Sequence, residues 1–151
     1  MEKLIIQSDR KHLIEVERFV SIVCDSFHIH NYAGSIAMSL LQAVENAIVH
    51  GNNNDSSKTV TIICDQCKGG VCFSVSDQGN GFDFSKFGSI PENSEQGRGI
   101  NIMKTFSDDL SFENGGRTVK MTFNVNGISA SRALERIMIM RNHYSAHRVL
   151  A

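Results

Sequence analysis

Gln42-Ala43-Val44-Glu45-Asn46-Ala47-Ile48-Val49-His50-Gly51 closes a predicted helix on a polar stripe. Gln42, Asn46 and His50 stand at i, i+4 and i+8 and so share one helix face. Polar residues aligned between apolar neighbours either face water or line a site. Further along, Asp77-Gln78-Gly79-Asn80-Gly81-Phe82-Asp83 follows a strand pattern that ends at Ser76. A carboxylate at a strand end accepts a hydrogen bond from an exocyclic amine, and glycines let the backbone approach a flat ring. Gly97-Arg98-Gly99-Ile100 then opens a helix, where exposed N–H groups and the helix dipole favour phosphate oxygens and Arg98 adds a charged donor. Taken singly, each pattern is common. Their order along one chain is what informs.

Around these boxes the periodicity predicts the elements. Leu4-Ile5-Ile6 is a short strand, and Ser8-Asp9 caps a helix carrying Leu13, Val16, Phe19, Val20 and Val23 at helical spacing. Asn31 caps a second helix, running to about Val49, with Ile36, Leu40, Val44 and Ile48 on one face. Two strand patterns, Thr59 to Cys64 and Val71 to Ser76, flank a turn at Gly69-Gly70 and should pair antiparallel. The stretch from Gly79 to Gly97 has no sustained period and reads as a long loop. A helix from about Gly99 to Phe106 follows, then Leu110 to Glu113, a turn at Asn114-Gly115-Gly116, and a strand from Thr118 to Val125. This order predicts an α+β two-layer sandwich: a mixed, mostly antiparallel sheet covered by helices on one face. Residues 1–126 form that domain, and 127–151 a C-terminal helical extension. Ser129 or Ser131 caps the extension, and its run Ile137-Met138-Ile139-Met140 is apolar all round, which predicts packing onto its own domain ahead of a partner contact.

The 151 residues, 41% apolar and 21% charged, suffice for one sizeable core. A net charge of -1 with interspersed signs disfavours nucleic acid or a membrane surface as the partner. The start of the chain reaches polar residues by Gln7, without a signal-like apolar core, so the expected location is cytoplasmic. Cys64, Cys67 and Cys72 lie close together, but no histidine flanks them to complete a zinc set. Cys64 and Cys72 read instead as small apolar strand residues kept reduced.

Together the three boxes resemble the asparagine box and the two glycine boxes of the GHKL ATPases, the superfamily of gyrase and the sensor histidine kinases. Asn46-Ala47-Ile48-Val49-His50-Gly51, Gly97-Arg98-Gly99-Ile100-Asn101-Ile102-Met103, Asp108-Asp109 and Gly115-Gly116-Arg117-Thr118-Val119 are most similar to the anti-sigma-factor serine/threonine kinases, over roughly residues 4–125. The resemblance implies a Bergerat-type ATP-binding fold. It implies that Asn46 holds Mg2+, that Asp77 accepts from the adenine amine, and that Thr118 sits near the same edge. Gly79 and Gly81 would line the base pocket, and Gly97, Arg98 and Gly99 would surround the phosphates. Phe82 to Gln96 would be an ATP lid, with Phe82, Phe84 and Phe87 as its anchors or as a partner-facing surface. The implied partners are a sigma factor and an anti-sigma-factor antagonist, with a homodimer as the implied assembly.

One position departs from that family. Four residues before the box asparagine, where the family usually carries a glutamate as general base, this chain has Gln42, which cannot take a proton. Glu45 is the nearest carboxylate, turned about 60° away from the direction of Gln42 and almost one turn further along. A non-catalytic nucleotide switch is therefore the rival to a kinase. For His50 the simplest role is to end its helix, with Gly51 in a left-handed cap. Asp83 and the Asp108-Asp109 pair read as turn and solvent-facing residues.

Overall fold

The computed structural model describes residues 1–81, 93–125 and 130–150, with the side chains of the last stretch described over 134–145. Strands β2 (Thr59–Cys67) and β3 (Gly70–Ser76) form the expected hairpin, with Ile62 opposite Val75 and Cys64 opposite Phe73. Strand β1 (Glu2–Gln7) pairs with β2, β5 (Thr118–Asn124) with β3, and β4 (Asp109–Glu113) with β5. The sheet order is β1-β2-β3-β5-β4.

Every ladder is antiparallel, which refines the expected mixed sheet. The connections explain it. Two helices, α1 (Leu13–Phe27) and α2 (Ala33–Asn46), lie between β1 and β2, so the chain reverses three times and re-enters the sheet antiparallel. Among the described residues one helix, α3 (Glu95–Phe106), lies between β3 and β4, and those two strands do run parallel. However, β5 inserts between them and takes both ladders.

Strand alternation puts Val60, Ile62, Val71, Phe73, Val75, Val119, Met121 and Phe123 on the helix-facing side, all buried. Val16, Val20 and Val23 of α1 and Ile36, Leu40 and Val44 of α2 meet them from above. Phe73 sits between Phe19 and Phe123, edge-on to both at centroid distances of 6.4 and 5.9 Å. Burial of each such side chain contributes about 1.5–3 kcal/mol, which makes this layer contact the main support of the fold.

Local capping departs from the expectations in three places. Asp9 does cap, accepting from Lys11 N at 3.0 Å, but it caps a 3-10 turn, Arg10–His12, that leads into α1. Asn31 falls inside another 3-10 turn, and α2 starts at Ala33 with no side-chain cap. Ser94 caps α3 through Gly97 N at 3.0 Å, so that helix begins before Gly99. Phe82, Asp83, Phe84, Phe87 and Pro91, with most of the expected lid, lie outside the described residues.

The cysteine expectation is corrected. Strand β2 runs on to Cys67, which brings Cys67 and Cys72 to the same outer face of the hairpin with Cα atoms 6.0 Å apart, joined as a disulfide. Cys64 stays free and buried, and burial pushes its thiol up to about 12.

The extension is a helix, α4 (Ala130–Leu150), and Met140 packs against the bare Cα of Gly34 on α2, but most of its described apolar residues do not dock. Leu134, Ile137, Met138 and Tyr144 are exposed, whereas Arg136 is 3% exposed. Its guanidinium donates to Thr105 O at 3.2 Å and Ser107 O at 3.3 Å, and pairs with Asp108 at 3.0 Å. Asp108 is therefore buried in an ion pair and not solvent-facing. Each of these acceptors lies at the C-terminal end of α3, where helix carbonyls lack intrahelical partners.

Candidate functional site

The α-helical turns of α2 end at Asn46, and the chain continues as a π-turn, Ala47–Gly51. Such turns widen the backbone and recur at functional sites. Here the π-turn brings His50 and Gly51 to the wall of a pocket that Asn46, Asp77, Gly81, Gln96, Ile100 and Arg117 also line. Gly51 is not left-handed as expected; Asn53 and Asn54 take that conformation instead. Its need for a bare Cα is steric, because a Cβ there would fall 2.3 Å from Asp77 Oδ2.

Asp77 leaves β3 beside Gly51 and lines the same pocket. Its N–H donates to Arg117 O at 2.9 Å, and its Oδ1 accepts from Gly79 N at 2.8 Å. Burial pushes its carboxyl above the ordinary carboxylate value, against the lowering pull of the Gly79 N–H and the Arg117 and Lys58 charges. Gly79 backs this turn: its own Cβ would fall 1.9 Å from Gly51 O. Gly81 has φ +77° and lies against Gly115 O, so both conformation and space require glycine.

The phosphate box and the asparagine box meet directly. A Cβ on Gly99 would stand 3.1 Å from Gln42 Oε1 and 3.3 Å from both Asn46 amide atoms. The second turn of α3 therefore rests on the polar stripe read from the sequence. Asn46 presents an amide oxygen beside a helix N-terminus, a setting for an oxyanion and a hard cation together. Among the described residues no group of three or more His, Cys, Asp or Glu gathers as a metal site. Mg2+ fits such surroundings when phosphate oxygens and waters fill most of its shell.

Other expected residues are placed elsewhere. Gly97 gives its N–H to Ser94, and the Arg98 guanidinium bonds the Asn93 carbonyl. Glu45 pairs with Arg10 at 3.2 Å, and Arg10 also reaches Glu95 at 3.2 Å. Thr118 is buried behind the wall, its hydroxyl 2.9 Å from Ser76 Oγ and 3.0 Å from Asn114 Nδ2. Sequence reasoning missed Gln96 and Arg117 as lining residues and gave His50 a capping role. The i+8 position of His50 on the polar stripe was the available signal.

The profile of the histidine kinase-like ATPase domain matches residues 6–123, and the chain belongs to that family. Within it, the chain is similar to the anti-sigma F factor of Clostridium perfringens (strain SM101 / Type A), 33% identical over 100 residues, which cover 60% of this chain and 71% of that one. It is also similar to the anti-sigma F factors of Clostridium botulinum (strain Eklund 17B / Type B), 30% identical over 62% of this chain and 72% of that one, and of Geobacillus kaustophilus (strain HTA426), 36% identical over 62% and 68%. These relatives put it in the anti-sigma-factor branch of the family. The extension α4 lies beyond the residues that the ATPase-domain profile matches. No helix among the described residues is long and apolar enough to cross a membrane.

Proposed function

We propose that this chain is an anti-sigma factor of the cytoplasm that binds ATP with Mg2+ and exchanges a sigma factor for an antagonist protein according to its nucleotide state. The observation that supports it best is the contact of Gly99 with Gln42 and with Asn46, which lines the same pocket as Asp77. In this reading Asp77 accepts from the adenine amine while Gly81 leaves room for the ring. The Asn46 amide oxygen would hold Mg2+, which would offset the phosphate charge, and the N-terminus of α3 would hold the phosphate oxygens. Bound ATP supplies the phosphoryl group that such a protein transfers to a serine or threonine of the antagonist.

A second reading, a switch that binds nucleotide without transferring phosphate, draws on two residues. Gln42 occupies the base position, and the Glu45 carboxylate is engaged by Arg10 at 3.2 Å. Calorimetric titration with Mg-ATP tests the site common to both. Binding is expected, and Asp77→Asn should weaken it by about 1.5–3 kcal/mol, the worth of a hydrogen bond to a charged group. Absence of ATP and ADP binding at millimolar concentration, or unchanged affinity in Asp77→Asn, sinks the nucleotide reading.

A further inference from the structure

Behind the Asp77 wall lies a buried amide that the boxes do not include. Asn52 is 0% exposed and follows the π-turn directly. Its Oδ1 accepts from Gln78 N at 2.7 Å, while its Nδ2 donates to Ser8 Oγ at 2.6 Å and to Thr59 O at 3.0 Å. Gln78 returns the link, its Oε1 accepting from Thr59 N at 2.7 Å. The ends of β1 and β3, the start of β2 and the end of the π-turn are thus joined through one side chain.

Gln78 stands between Asp77 and Gly79, so the peptide that Asn52 holds is the one that aims the carboxylate. Asp77 Oδ1 is occupied by Gly79 N at 2.8 Å. The other oxygen, Oδ2, lies against the bare Cα of Gly51, the residue just before Asn52. Asn52 therefore controls both neighbours of Oδ2: the turn that carries it and the backbone it faces.

We propose that Asn52 is a positioning residue for base selection, one that fixes Asp77 Oδ2 where it takes a purine 6-amine and turns away a 6-oxo group. The proposal rests on the nucleotide reading above and adds to it the group that sets its selectivity. A 6-amine donates to the carboxylate, whereas a 6-oxo group meets it with a lone pair. Discrimination of this kind requires that the acceptor cannot swing aside, and a fully satisfied buried amide supplies that rigidity.

The experiment compares ATP with ITP, which differ at the 6-position, by calorimetry on the natural chain, Ser8→Ala, Asn52→Ala and Asn52→Ser. Ser8→Ala removes one arm of the node but leaves the Gln78 link, so it controls for general loss of stability. The natural chain should prefer ATP by about tenfold or more, in keeping with one hydrogen bond to a charged group. Ser8→Ala should lower Tm and keep that ratio. Asn52→Ala should bring the ratio to within about twofold of unity, and Asn52→Ser, whose hydroxyl is too short to span to Gln78 N, provides the same reading should the alanine variant not fold. A ratio unchanged in the Asn52 variants while Tm falls would make Asn52 a structural residue and overturn the proposal. Equal binding of ATP and ITP by the natural chain would overturn it too and leave nucleotide binding intact, whereas binding of neither removes the site itself.

Discussion

At the scale of single residues, the catalytic question turns on Gln42 and Glu45. Gln42 Oε1 already lies against Gly99, so a carboxylate placed there would face the phosphate helix, whereas Glu45 is drawn off to Arg10. A glutamine orients an attacking hydroxyl but does not remove its proton, and loss of a general base lowers rates about 10²–10⁴-fold. Single-turnover transfer from labelled ATP to the cognate antagonist should accordingly be slow in the natural chain, rise in Gln42→Glu, and change little in Glu45→Gln. Robust transfer that collapses in Glu45→Gln would place the base one turn along. Asp77 carries a second consequence. Its folded pKa is raised mainly by burial, so the native chain keeps a proton over a window above 3.8 in which the unfolded chain has lost it. Stability therefore falls as pH rises through that window, and the penalty is complete above the raised value. Without nucleotide, Asp77→Asn should be at least as stable as the parent near neutral pH and should flatten the slope of urea midpoints above about pH 4. A steeper slope in the variant would contradict the assignment. Both residues were visible in the sequence; the Arg10 partner of Glu45 and the burial of Asp77 were not, because each depends on chain segments far away in sequence.

At the scale of elements, helix α3 is held at both ends by side chains. Ser94 caps its start, and Arg136 grips Thr105 O, Ser107 O and Asp108 at its finish. The Arg136 and Asp108 side chains are each 4% exposed, so removing either partner strands a charge in the interior. Arg136→Met should destabilise the fold by about 3–5 kcal/mol, near the lower end since Asn124 N still donates to Asp108 at 2.7 Å. Adding Asp108→Asn to that variant should recover part of the loss, as urea midpoints would show; a double variant weaker by the sum of both single losses would refute the pairing. Periodicity predicted α4 correctly as a helix and missed its anchor. A pattern of apolar residues identifies which stripe is greasy, not which neighbour it meets, and Ile137 and Met138 remain exposed while the charged residue between turns is buried. The π-turn after Asn46 was equally illegible, since nothing in Ala47 to Gly51 distinguishes a helix that widens from one that ends.

At the scale of the whole molecule, the two-layer α+β architecture was legible because alternating runs such as Val71 to Ser76 and helical runs such as Val16 to Val23 declare their periods locally. Strand order was not, because β5 enters between β3 and β4 through pairing that no local pattern encodes. The same order has a kinetic side. Strands β2 and β3 are separated only by Lys68 and Gly69, whereas β1 meets β2 across residues 8–58. By loop length alone, closing the longer connection is harder by roughly 3 kcal/mol. The chain should therefore nucleate on the central hairpin and add its N-terminal strand late, with φ-values high at Val75 and low at Ile6. Ser8 and Asn52 then come together only near the end of folding, so the base pocket would be among the last parts of the molecule to take shape.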